Sequence, residues 1–138
     1  MKQPLIFYKS GYKYQITREY TCFVGIFNYE YESDFLKLTP TGWLTVKKYY
    51  CFDGPSGPTI DTKTNMRGAL IHDALYQLMR LGVIAEKYAD TANKLFKQIC
   101  REDGMCWLRA QLYFWGVNTS IAEKNAKAGT EQKEQFAP

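Results

Sequence analysis

The sequence predicts an α+β fold: an N-terminal antiparallel β-sheet followed by a three-helix C-terminal half and a polar tail. Three observations predict it. Residues 4 to 50 fall into short runs rich in aromatic and β-branched side chains, with turn residues between them. From Asp53 to Thr64 the chain carries Gly54, Pro55, Gly57 and Pro58, which neither continue a β-ladder nor open a helix before the segment ends. Beyond Asn65 the apolar residues recur at helical spacing. With 138 residues there is room for one domain with one core, assigned to residues 1–121, and residues 122–138 form the tail.

Taken in order, Leu5 to Tyr8 and Tyr12 to Thr17 flank Lys9-Ser10-Gly11, which reads as the turn of a hairpin. Cys22 to Phe27 is short and continuously apolar, the pattern of a strand covered on both faces. Phe35 to Thr39 and Trp43 to Tyr50 are joined by Pro40-Thr41-Gly42, a tight connection between antiparallel strands. The loop that follows is braced: Pro55 and Pro58 restrict the backbone on either side of Ser56 and hold its hydroxyl in place.

The first helix begins near Asn65, with Thr64 or Asp61 as cap. Ile71, Ala74, Leu75 and Leu78 make one apolar stripe, and Gly82 ends it. A second helix, Glu86 to Arg101, places Ala89, Ala92, Phe96 and Ile99 on one face. The third, Gly104 to Asn118, is apolar nearly all round; it sits centrally or lends an aromatic face to a partner. From Ala122 the composition turns to Ala, Lys, Glu and Gln, which alone would give a frayed helix or a disordered tail.

Composition narrows the function classes. A hydrophobic fraction of 46% excludes global disorder, and eleven tyrosines suit either a contact surface or a sheet's half-buried face. The net charge of +4 is dispersed rather than gathered into a basic block, which argues against nucleic acid as partner. Cys22, Cys51, Cys100 and Cys106 lack a Cys-x-x-Cys pair and read as reduced, mostly buried thiols. The first residues hold too short an apolar run for a signal peptide, and no run reaches membrane-spanning length. A soluble protein made in the cytoplasm is expected.

The residues that carry chemistry gather around His72, the one histidine. Tyr76 lies four residues on and shares its face, while Asp73 is about 100° round. If the first two helices form an antiparallel hairpin across residues 82–85, Asp90 faces back toward His72, and the loop brings Asp53 and Ser56. A serine, a histidine and orienting carboxylates can perform acyl transfer or hydrolysis. The bland reading weighs more: a histidine satisfied by a neighbouring carboxylate, Asp53 as a turn residue before Gly54, and Ser56 outside any nucleophile elbow. Asp53, His72, Asp73 and Asp90 also make a weak set for a hard divalent ion, with no bracketed ligand spacing, and no metal or cofactor is assigned.

The succession Phe52-Asp53-Gly54-Pro55-Ser56-Gly57-Pro58, His72-Asp73-Ala74-Leu75-Tyr76 and Ala89-Asp90-Thr91-Ala92-Asn93-Lys94-Leu95-Phe96, before a Trp- and Tyr-rich third helix, resembles domain-of-unknown-function family 1353 of bacteriophages and prophages. The family's pattern is Asp-Gly-x-Ser-x-Pro, His-Asp-x-x-Tyr and Ala-Asp-x-x-Phe. Here Asp53, Gly54, Ser56, Pro58, His72, Asp73, Tyr76, Ala89 and Asp90 occupy its places, and Phe96 stands two residues late. The resemblance covers roughly residues 40 to 118. It implies a phage origin and no reaction. Phage genes of this size encode virion parts, lysis factors or inhibitors of host defences, and synthesis in the host cytoplasm with incorporation in the virion is the expectation.

Two functions follow as expectations. In the first, the chain is a virion-associated interaction component of tail or baseplate type, self-associating or bound to other phage proteins, with Asp53, Ser56, His72, Asp73 and Asp90 as a buried polar lock. The second is a hydrolase of cell-wall peptide or ester bonds, with His72 as base, Asp73 or Asp90 orienting it, and Ser56 or a metal-bound water as nucleophile.

Overall fold

A computed structural model describes residues 6–8, 14–53, 63–117 and 135–137. Its strands are β1 (Ile6–Tyr8), β2 (Tyr14–Gln15), β3 (Tyr20–Phe23), β4 (Tyr31–Glu32), β5 (Leu36–Leu38), β6 (Trp43–Val46), β7 (Cys51–Phe52) and β8 (Gln135–Ala137). Between β7 and β8 come α1 (Met66–Arg80), a short 3-10 turn at Glu86–Tyr88, α2 (Ala89–Glu102) and α3 (Trp107–Val117). Antiparallel strands precede three helices, so the class is α+β.

The principal sheet has four antiparallel strands in the order β3-β6-β5-β4. Its register follows from period-two alternation. Pairing Leu36 with Val46 and Leu38 with Leu44 sends all four inward, while Lys37 and Thr45 pair on the other face. On that outer face Thr21 and Thr45 share a cross-strand hydrogen bond of 2.9 Å. The Pro40-Thr41-Gly42 connection forms as expected, closed by hydrogen bonds from the Gly42 N–H to the Thr39 carbonyl and from the Thr39 N–H to the Trp43 carbonyl.

Two of the strand expectations are corrected. The expected hairpin of 5–8 with 12–17 does not form between the described strands: β1 pairs with β8, and β2 pairs with β7, where the Tyr14 and Phe52 rings stand 5.6 Å apart. The Lys9-Ser10-Gly11 turn lies outside the described residues. The run from Cys22 to Phe27 is not one strand covered on both faces. β3 stops at Phe23; Val24 and Ile26 are buried while Phe23 and Phe27 face solvent. The tail, for its part, ends in β8, whose register sets Phe136 opposite Phe7.

The helices follow the expected stripes. Ile71, Ala74, Leu75 and Leu78 are buried against the inner sheet residues Leu36, Leu38, Leu44 and Val46 in the main core. A smaller core joins Ala69 to Phe96, Cys100, Met105 and Ala110, where α1, α2 and α3 meet. Gly82 and Gly104, both at positive φ, end α1 and α2 in the same way. Each N–H bonds back to the carbonyl two residues before the cap (Met79 and Arg101). The next residue, Val83 or Met105, bonds to Leu78 or Cys100, satisfying carbonyls that the helix leaves open. The N-terminus of α1 is different, since Asn65 takes the cap position without a side-chain cap bond.

All four cysteines are free, yet only Cys100 is fully buried, and Cys106 is exposed. Burial pushes the Cys100 thiol up to about 12, so it packs as a small hydrophobe and not as a nucleophile.

Candidate functional site

The site lies along the seam between α1 and α2. These helices run antiparallel, as the pairs Arg67 with Asp103, His72 with Asn93 and Tyr76 with Asn93 require. His72 reaches the seam because it sits one position after Ile71 on the edge of the buried stripe. Its side chain is 11% exposed.

Asn93 is the centre of the contact. Its Oδ1 is 2.7 Å from His72 Nε2 and accepts the Tyr76 hydroxyl proton at 2.8 Å. A carbonyl oxygen has two lone pairs, so these two bonds use both. With Oδ1 as acceptor, the His72 proton is assigned to Nε2, and Nδ1 of the neutral ring becomes an acceptor. Nδ1 looks toward Asp73 Oδ1 at 3.9 Å, which is too long for a hydrogen bond. The ring is also packed against Tyr76, centroids 4.3 Å apart, and Phe96, 5.5 Å apart.

Asp53, at the end of β7, joins this group electrostatically. Desolvation first, and then the Asp73 charge, raise its carboxyl above the ordinary value, while Arg80 opposes them. A carboxyl whose pKa is raised by folding holds its proton more tightly in the native chain than in the unfolded one. Its relative stabilisation is full below the unfolded pKa and is lost as pH rises through the native value. Asp53→Asn preserves the turn chemistry before Gly54 and removes that penalty. We expect the variant to melt above the wild type near about pH 7, with the difference fading by about pH 3. Parallel thermal melts across that range check it, and a pH-independent difference would contradict it.

Asp90 is placed differently from the sequence expectation. It pairs with Lys94 at 2.8 Å on the outer face of α2, with its side chain 57% exposed. The residue that faces His72 is Asn93, about 60° round the helix from Asp90. The physical reason is that the carboxylate keeps its hydration, whereas the neutral amide can be buried with its bonds satisfied. Gly54, Ser56 and Pro58 lie outside the described residues. Of the expected group, the structure brings together His72, Tyr76 and Asp73 with Asp53 nearby. Among the described residues, no three of His, Cys, Asp and Glu are placed to hold a metal ion.

Asn93 carries a sequence signal of its own. It falls on the α2 stripe with Ala89, Phe96 and Cys100, and a polar residue on an apolar stripe calls for a buried partner.

A second polar cluster had no sequence signal. Arg67 Nε lies 3.1 and 3.0 Å from the two Asp103 carboxylate oxygens. One terminal nitrogen donates to Glu102, and the other donates to the Tyr20 hydroxyl at 2.8 Å. The Asp103 bonds above all hold the guanidinium protonated, and the forked geometry fixes the start of α1 to the end of α2 and to β3.

Comparison with family models, curated proteins and solved structures finds no match to this chain. Among the described residues, no helix is long and apolar enough to cross a membrane.

Proposed function

We propose that this chain is a small bacteriophage interaction component of the tail or baseplate type, related to domain-of-unknown-function family 1353, in which the α1–α2 seam is a structural lock. One observation carries the lock. His72 places Nε2 on Asn93 and its ring between Tyr76 and Phe96, and among the described residues no serine, threonine or cysteine bonds to it. A ring held this way transmits packing between helices. The phage assignment rests on the three motifs and their order. Other phage proteins or further copies are the partners this reading calls for, with synthesis in the host cytoplasm and assembly into the particle.

His72→Ala tests it. The variant removes one donor from Asn93 and opens a hole between two rings, and should cost about 1–3 kcal/mol, read as a lowered Tm with impaired assembly. Wild-type melting and assembly would refute the lock.

A hydrolase is the second reading, favoured by the carboxylate 3.9 Å from Nδ1 and by the coupling of Asp53 to Asp73. It needs Ser56 or a bound water as nucleophile. Cleavage of cell-wall peptide or a model ester, abolished in Ser56→Ala or in a folded His72→Ala, would replace the lock reading.

A further inference from the structure

Helix α3 leaves an apolar face in water. Trp107, Leu108, Leu112 and Trp115 are 61%, 63%, 52% and 60% exposed. At helical spacing they span an arc of about 140°. The opposite side is anchored: Ala110 is buried, and Tyr113 packs on the cluster of Ala69, Phe96, Cys100 and Met105. The helix is therefore held by its back. Two tryptophans in one uncovered patch are the side chains most often found at the energetic centre of interfaces.

The surroundings narrow the kind of mate. No acidic residue occurs from Gly104 to Val117. The neighbouring cations are engaged within the chain. Lys97 bonds to Gln111 and lies over the Trp107 and Phe114 rings, Arg109 donates to the Tyr113 hydroxyl at 2.9 Å, and Arg101 donates to the Met105 carbonyl at 2.7 Å. A charged partner would find little to read. An uncharged apolar face is required, and the order of the stripe supplies one: Trp-Leu at its start, Leu-Trp at its end. Two such helices laid antiparallel about an axis near Gln111 set Trp107 of each copy opposite Trp115 of the other, with the leucines meeting between them.

We propose that α3 is the two-fold interface of a homodimer, packed antiparallel on the α3 of a second copy. This deepens the interaction-protein reading by naming a partner and its surface. The four side chains expose roughly 500 Å². Two copies would remove about 1,000 Å² from water, the lower bound for a specific interface, and dissociation is expected on the order of 1–100 μM.

Sedimentation equilibrium of the full chain from about 1 to 200 μM tests it. The wild type should move from one chain to two across that range. Leu108→Glu with Leu112→Glu should stay monomeric, with unchanged helical circular dichroism and Tm, because both leucines face solvent. Three results would overturn the proposal: a wild type that is monomeric throughout, a folded double variant that dimerises as tightly, or flotation of the monomer with phosphatidylcholine vesicles, which would assign the face to lipid. Should the double variant not fold, wild-type tryptophan emission decides. It must shift to the red on dilution, and a constant spectrum counts against the dimer. A monomeric wild type would leave the α1–α2 lock intact, since His72→Ala probes that separately.

Discussion

Gly68→Val is expected to destabilise the protein by about 2–4 kcal/mol, lowering Tm by on the order of 10 °C. Gly68 lies in the first turns of α1, close against Phe96 and Cys100 of α2. A Cβ there would stand 3.0 Å from Cys100 Sγ, 3.1 Å from the Phe96 ring and 3.2 Å from the Phe96 carbonyl oxygen. None of the three can yield cheaply. Phe96 and Cys100 are buried in the smaller core, and a carbonyl oxygen moves only with its helix. Valine would add two methyl groups to that contact and force the helices apart. Gly68→Ala is the informative companion. Its gain in helix propensity, about 1 kcal/mol, works against the crowding, so it should be milder than valine by at least about 1 kcal/mol. Urea denaturation of the three proteins measures both differences, and equal stability of wild type and Gly68→Val would mean that the helices do not approach as described.

Asn93→Leu should cost about 2–4 kcal/mol. Leucine keeps the branched heavy-atom skeleton of asparagine and leaves no cavity, so the loss reports the missing hydrogen bonds together with the crowding of its larger methyl groups. Removing Oδ1 strips the acceptor from both the Tyr76 hydroxyl and the His72 ring, and Tyr76 is buried where water cannot replace it. Tyr76→Phe in the Asn93→Leu background should recover part of the loss, because it removes a buried donor that has lost its Asn93 acceptor. Additive effects of the two substitutions in a double-mutant cycle would show that the two side chains do not share the bond.

The sequence made the helical half readable because its information there is local. Ile71, Ala74, Leu75 and Leu78 announce a buried face by spacing alone, and Gly82 announces where the helix must stop. The hairpin through Pro40-Thr41-Gly42 was equally local. The first strand was not. β1 finds its partner in β8, at the other end of the chain, and β2 finds β7 across the whole principal sheet. Three-residue strands carry too little alternation to select a partner, and a nearby turn sequence such as Lys9-Ser10-Gly11 then points to the wrong one.

The candidate site divides in the same way. Spacing put His72 and Tyr76 on one face of α1, and the turn chemistry of Asp53-Gly54 put a carboxylate at the end of the sheet. For the residue of α2 that meets the imidazole, the sequence pointed to Asp90, and the structure places Asn93 there. Asp90 carried the charge that made it attractive from sequence, and that charge is the reason it stays with Lys94 in water.

By itself, then, the sequence determined the α+β class, the order of its three helices and the faces that α1 and α2 bury, since periodicity and helix-ending glycines are properties of neighbouring residues. Only the tertiary structure decided that Asn93 joins His72 to Tyr76, that Arg67 is clamped by Asp103 from 36 residues away, and that α3 keeps its tryptophans outside. Those outcomes depend on how two helices are rotated against each other and on the cost of burying a charge, and neither quantity is carried by any single segment of the chain.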